Sequence, residues 1–328
     1  MHLVRKASLV LLLLAAAIFG GALVQFGPGV RAELGAYRED RSRNYVTVPA
    51  FGAAKEMTAQ FYPAKVKAPL IVDLHQWGED ARGFAGKHLD EQVKAKGWNF
   101  IRPALAGPNR TPDACCSAGV IDGVLAAIEY AKQHGPVDPT SIYVVGISGG
   151  GYTTLCAAMS NKVNARGYYA WASITDLEEW YNQHRTDNYG SDIMQCTASR
   201  GSLNLAEARR RSPIYMGMPA KMSPIHMYAG IQDGFQGSVP ISHSVKMFNR
   251  FADTYSPQQR VTDAQLLRMM ERREGDDTAA KQTIDGRTIH LRRSAGPAEL
   301  VVFEGEHEML STALVDAIAQ DQVVKSKP

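Results

Sequence analysis

The run "PLIVDLH" (69–75) constrains this chain more than any other stretch. A strand with one wet face alternates apolar and polar residues. A near-continuous apolar run of this length instead marks a strand buried on both faces, which requires helices on either side of a sheet. The flanking segments supply them. "YVTVPAF" (45–51) and "MTAQFY" (57–62) read as an opening antiparallel pair, and "HLDEQVKAK" (88–96) as a helix leading to the strand "WNFIRP" (98–103). A helix over 118–134 carries Ile121, Leu125 and Ile128 on one stripe. Strands follow at 141–146, 167–174, 225–230 and 298–305. Between the last two, Ile241, Val245, Phe248 and Ala252 form one helical stripe, and Thr262 with Gln265 forms a capping box ahead of Leu266, Leu267 and Met270. Leu310, Leu314 and Ile318 mark a final helix. This order predicts an α/β fold with a mostly parallel central sheet and helices on both faces.

Two stretches break the alternation. Residues 176–222 are polar, aromatic and turn-rich, and read as an insertion, a lid or cap. Residues 274–297, with "IDG" at a turn, read as an exposed excursion or hairpin. The expected organisation is a single domain over 33–328 after a distinct N-terminal segment. There Arg5 and Lys6 precede an apolar run from Ala7 to Val24, broken at Gly27, Pro28 and Gly29. Val30 and Ala32 are small residues at the two positions a signal peptidase reads, so a signal peptide ending near Ala32 is expected. The run is also long enough for an uncleaved anchor. Both readings make the protein periplasmic or secreted, and a membrane is a partner only in the second.

The 328 residues hold 36 basic and 33 acidic side chains. Residues 1–32 contain Arg5, Lys6 and Arg31 and no acid, so the remainder is balanced. No basic field is left to attract nucleic acid. Arg209, Arg210 and Arg211 are expected on a solvated face. Four cysteines are present, and an exported chain can oxidise them. Cys196 is expected to pair with Cys115 or Cys116, and Cys156 to be a core residue. No C-x-x-C or H-x-x-x-H spacing occurs, so neither metal nor other cofactor is expected.

The chemistry concentrates where strand 141–146 ends, in "YVVGISGGGYTTL" (143–155). Strand, then Gly146-x-Ser148-x-Gly150, then helix is the context of a nucleophile elbow. Glycines relieve collisions at a tight turn. The following helix directs its N-terminus at the serine, and the Gly149 N–H faces a developing oxyanion. A serine nucleophile needs a base. Among nine histidines, His307 follows strand "AELVVF" in the loop "EGEHEML" and is the candidate. His243 and His290 read as structural. Asp233, after strand "IHMYAG", is the candidate acid, and Asp176 is its rival after "GYYAWASI". Most other aspartates lie in polar segments and are expected to be solvated. The order Ser148, Asp233, His307 is that of α/β-hydrolases. "DLHQWGED" (73–80) is placed to supply a second oxyanion donor, from the N–H of Gln76 or Trp77, with His75 as a structural hydrogen-bonder.

The chain resembles serine esterases of the α/β-hydrolase superfamily, in particular prolyl-oligopeptidase-like and secreted feruloyl or acetyl-xylan esterase-like enzymes. "VDPTSIYVVGISGGGYTT" (137–154) is similar to that group's nucleophile segment. "LHQWGED" resembles its oxyanion loop, "AGIQDGFQGSVPISHS" its acid loop and "FEGEHEM" its histidine loop. Gln76 departs from the group, where glycine is common after the histidine. The resemblance implies an exported, cofactor-free serine hydrolase of carboxylic esters, with an acyl group on a carbohydrate as the leading substrate. Trp171, Trp180, Tyr181 and Tyr189 are candidates for stacking on sugar rings, or for packing the insertion onto the core. A peptidase, an acyltransferase and a non-catalytic glycan-binding protein are the alternatives.

Overall fold

A computed structural model describes residues 44–83, 88–275 and 282–326. The expected signal peptide lies outside the described residues. Among these residues no helix is long and apolar enough to cross a membrane.

Ten strands form one sheet in the order β1-β2-β4-β3-β5-β6-β7-β10-β9-β8. The first pair, β1 (Tyr45–Val48) and β2 (Met57–Tyr62), is antiparallel, and β2 joins β4 (Asn99–Pro103) antiparallel. From β4 the sheet runs parallel through β3 (Ala68–Leu74), β5 (Val137–Ile147), β6 (Gly167–Trp171), β7 (Ile225–Gly230) and β10 (Ala298–Phe303). Every residue of β3 is buried, as its sequence requires. The fold class expected from the alternation is the one observed.

Helices cover both faces. Helices α2 (Ala118–His134), α3 (Gly149–Met159) and α7 (Ser242–Tyr255) supply Val124, Leu155 and Phe248 to the larger core. Helices α1 (Leu89–Ala95) and α9 (Ser311–Ser326) bury Val93 and Leu314 on the opposite face. Helix α8 (Asp263–Arg272) opens with the expected Thr262–Gln265 capping box.

Segment 176–222 folds into short helices α4 (Leu177–Gln183), α5 (Asn188–Cys196) and α6 (Leu205–Arg210), then a 3-10 turn at Pro213–Tyr215. One disulfide, Cys115–Cys196, joins it to the body through α5, and a second, Cys116–Cys156, ties the same loop to α3. Cys156 is thus both buried and bridged, beyond the plain core role expected of it. Arg211 corrects the solvated face expected for the arginine run. It is 4% exposed, and its guanidinium donates to the carbonyls of Ala114 (2.7 Å) and Pro112 (2.8 Å) and to Glu207 (2.6 Å). Only Arg209 and Arg210 face solvent.

Of the two readings of 274–297, excursion or hairpin, the described residues form the hairpin, with its turn in "IDG". Its latter part is a full strand, β9 (Arg287–Ala295), paired antiparallel with β10 and burying Ile289 and Leu291. The two-residue turn Asp285-Gly286 joins it to β8 (Thr283–Ile284); both turn residues have positive φ, 49° and 75°, as a tight hairpin requires.

His243 on α7 is structural, as expected, and ties the insertion to the body. Its Nδ1 accepts from the Thr175 amide (3.2 Å) and its Nε2 lies 3.2 Å from Gln183 Oε1. Burial holds its pKa down to about 3. A folded pKa below the unfolded value of about 6.5 means that the unfolded chain takes up a proton the folded chain refuses. This contribution to stability is present above about pH 6.5 and is lost as pH falls toward 3. His243→Gln should therefore flatten the acid limb of the stability curve, removing about 1.4 kcal/mol per pH unit of slope in that window. Urea unfolding from pH 7 to pH 4 measures it, and an unchanged slope would refute it.

Candidate active site

The elbow is built by close backbone crossings. A Cβ on Gly146 would lie 2.4 Å from the Gly150 carbonyl carbon, and one on Gly150 would lie 2.0 Å from the Leu74 carbonyl oxygen. No side chain fits either position. Between them Ser148 adopts φ 57°, ψ −120°, a region that L-residues rarely occupy and that costs about 1–3 kcal/mol. Its amide donates to the Trp171 carbonyl on β6 (2.9 Å), which fixes the turn to the sheet. The serine sits at the N-terminus of α3, where the helix favours negative charge.

On the far side of the elbow, a Cβ on Gly149 would lie 2.5 Å from the Trp77 amide nitrogen and 3.0 Å from the Gln76 carbonyl carbon. The loop after β3 therefore lies directly against the first turn of α3. Of the two expected donors, Trp77 presents its amide nitrogen nearest Gly149. Among the described residues, neither the Trp77 nor the Gly149 N–H donates a backbone hydrogen bond. His75 is buried, with Nδ1 2.9 Å from the Gln76 carbonyl, and burial holds its pKa down. Below this loop Asp73 and Arg102 form a fully buried pair (Nε–Oδ2 2.7 Å). Burial pushes the Asp73 carboxyl up to about 6, against the pull of Arg102. Arg102 also donates to the Gly83 carbonyl, so the pair anchors the far end of the loop.

The loops after β7 and β10 bring Asp233 and His307 together. His307 Nδ1 lies 2.8 Å from Asp233 Oδ2. The other carboxylate oxygen accepts from the amides of Gly234 (2.9 Å) and Val239 (3.1 Å), so the acid is held in place on both sides. With Nδ1 facing the carboxylate, Nε2 is the ring nitrogen left for a reacting group. Asp176 has another role. It caps α4, accepting from the amides of Glu178 and Glu179, and accepts from the Tyr215 hydroxyl at 2.7 Å. His290 lies on β9 with Nε2 2.9 Å from Glu304.

Sequence reasoning missed what anchors Trp77. Its indole N–H donates to Asp192 of α5 at 3.2 Å, and Arg110 pairs with the same carboxylate at 3.2 Å. Its ring packs on Trp180 at 4.8 Å. Asp192 is 6% exposed, not solvated as expected for aspartates in polar segments. One signal was available: Asp192, Ile193 and Cys196 share a helical stripe, and all three are buried. Trp171 and Trp180 are fully buried, which leaves the packing reading and removes them as sugar platforms. Tyr181 and Tyr189 remain half-buried.

Sheet order, elbow and acid–histidine pair define an α/β-hydrolase. Within that class, residues 118–273, which hold Ser148 and Asp233, match the model of the prolyl oligopeptidase family. Solved structures agree at the level of fold. An acylaminoacyl peptidase bound to a chloromethyl ketone is similar with a TM-score of 0.56 and 14% identity, over 87% of this chain and 41% of that one. A puromycin-hydrolyzing peptidase from Mycobacterium tuberculosis is similar at 0.53 and 13%, over 85% and 38%. The Pyrococcus horikoshii acylaminoacyl peptidase is similar at 0.53 and 16%, over 64% and 35%. This chain thus spans well under half the length of each. No curated protein matches the sequence.

Gly237 packs directly against the acid–histidine pair. A Cβ there would lie 2.2 Å from Asp233 Oδ1 and 2.6 Å from His307 Cβ. Gly237→Ala should push the two side chains apart and lower turnover by about tenfold or more, since small misplacements at a reacting centre are costly. Initial rates on p-nitrophenyl acetate, with near-UV circular dichroism as a folding control, test this. Wild-type turnover in a folded variant would show that the contact is dispensable.

Proposed function

We propose that this chain is a serine hydrolase acting through Ser148, His307 and Asp233, with peptidic acyl compounds as its substrate class. The observation that carries the reading is the His307–Asp233 contact of 2.8 Å, from loops on the same sheet edge as a strained serine. His307 Nε2 takes the proton as Ser148 Oγ attacks the carbonyl carbon. Asp233 fixes the tautomer and stabilises the imidazolium. The Gly149 and Trp77 N–H groups hold the oxyanion, in an arrangement that needs no reorganisation. The imidazolium then protonates the leaving amine or alcohol. Water, deprotonated by His307, attacks the acyl-enzyme and releases the acid by the reverse route.

The family match favours a peptidase over a carbohydrate esterase, and burial of Trp171 and Trp180 takes two of the four candidate stacking residues away from a sugar ester. Esters remain chemically accessible, because their leaving group is easier to expel. Export stays part of the proposal: the disulfides Cys115–Cys196 and Cys116–Cys156 suit an oxidising compartment.

A fluorophosphonate probe should label Ser148 alone, as read by peptide mass spectrometry. Ser148→Ala should abolish labelling, and absence of label on the intact chain would point to a non-catalytic binding role. Asp233→Asn should lower kcat by about 10⁴-fold, through loss of the correct imidazole tautomer. Acyl-aminoacyl p-nitroanilides should be cleaved alongside p-nitrophenyl acetate. Turnover of the ester with no anilide cleavage would return the substrate class to esters. Transfer of the acyl group to an added sugar, in place of its release to water, would reassign the enzyme as an acyltransferase.

A further inference from the structure

A cavity of about 620 Å³ lies along one face of the sheet, between the starts of β6 and β7, the β8–β9 turn and α9. Its position follows from its walls. Gly167 is the first residue of β6 and Pro224 immediately precedes β7, whereas the catalytic loops leave the other ends of these strands. Small residues open it: Gly167 on the sheet and Ala313 and Ala317 on α9. Its size falls within the range of small-molecule sites.

Two tyrosines of its wall have no assigned work. Tyr169 is 2% exposed and Tyr228 is 6% exposed. Among the described residues neither hydroxyl oxygen is a buried atom left without a partner, so each opens on the cavity that both side chains line. A hydroxyl open to a cavity can exchange water for a ligand hydroxyl. Burial pushes both phenols up, and they remain neutral donors at physiological pH. Arg292 adds a buried Nε without a partner.

The two guanidiniums of the wall are already matched, while Asp316 lies 3.8 Å from Lys96 and Asp285 is exposed. Arg166 binds Asp321 (Nη2–Oδ1 3.0 Å), Arg292 binds Glu299 (2.7 Å), and His226 Nδ1 lies 2.9 Å from Glu299. An anion would have to displace a carboxylate to reach either guanidinium. What stays uncommitted is two hydroxyls and the Nε–H of the paired Arg292. Beside them His226 stacks on Tyr169 at 4.6 Å and 15°, giving a flat aromatic wall.

We propose that this cavity binds a neutral polyhydroxy compound of monosaccharide size, with Tyr169 and Tyr228 as its hydroxyl partners. The site is independent of Ser148, so it stands or falls apart from the hydrolase reading. Saturation-transfer NMR on the full chain with glucose, xylose and inositol tests it. At least one should bind saturably, and equally well to Ser148→Ala. Tyr169→Phe with Tyr228→Phe keeps ring packing and removes both hydroxyls; it should weaken binding about tenfold, as the loss of roughly 1.4 kcal/mol implies. Ala317→Phe should fill the cavity and abolish binding. Hydrolysis of p-nitrophenyl acetate should be unchanged in both variants, which also reports folding. Failure of all three probes to bind, meaning a cavity filled by solvent only, would overturn the proposal. So would binding that survives both variants, or binding of inorganic phosphate in their place.

Discussion

The crossing of three backbones at the elbow is the constraint on which the rest depends. β5 meets the start of α3 so tightly that Gly146 and Gly150 leave no room for a Cβ, and Gly150 also touches the carbonyl of Leu74 on β3. This contact sets Ser148 at φ 57° and at the same time brings the Gly149 amide against the loop after β3. The geometries of the proposed nucleophile and of the proposed oxyanion donors are thus one structural event. A strained residue persists only where its surroundings over-determine it. Here every residue of α3 is buried and β5 lies in the middle of the sheet, so the strain has nowhere to relax.

The insertion completes the site from the other side. Trp77 contributes its backbone toward Gly149 and its side chain toward Asp192 and Trp180. The loop holding Cys115 and Cys116 is bridged to α5 and α3, and Arg211 donates to carbonyls within it. Both vicinal cysteines adopt positive φ, 50° and 55°, which lets their side chains diverge toward two different helices. The segment that looks like a detachable lid is covalently and electrostatically continuous with the oxyanion loop.

The proposed catalytic residues gather at one end of the sheet. The C-terminal ends of β3, β5, β7 and β10 carry Trp77, Ser148, Asp233 and His307, as expected of an open α/β sheet. Under α9 the sheet face carries the paired Arg166 and Arg292 beside the Tyr169 and Tyr228 hydroxyls. The stacked pairs Tyr169–His226 and Trp171–Tyr228 fill the β6–β7 face.

Much of this was legible in the sequence because the signals are local. An unbroken apolar run demands burial on both faces, and β3 obeys. Glycines on either side of a serine demand a tight turn, and the elbow follows. Asp233 and His307 were legible because each ends a recognisable strand. The turn in "IDG" was legible as one of two readings, and the hairpin of β8 and β9 forms around it. What the sequence could not hold was partner choice between distant segments. Which cysteine meets Cys196, whether Asp192 is solvated, and whether Trp180 faces sugar or core depend on distances that exist only after folding. Burial is a property of the assembled layers, whereas turn sterics and apolar periodicity belong to the chain itself. The sequence alone therefore determined the strands, the elbow and the catalytic candidates. Tertiary structure alone decided which remote side chains hold them in place.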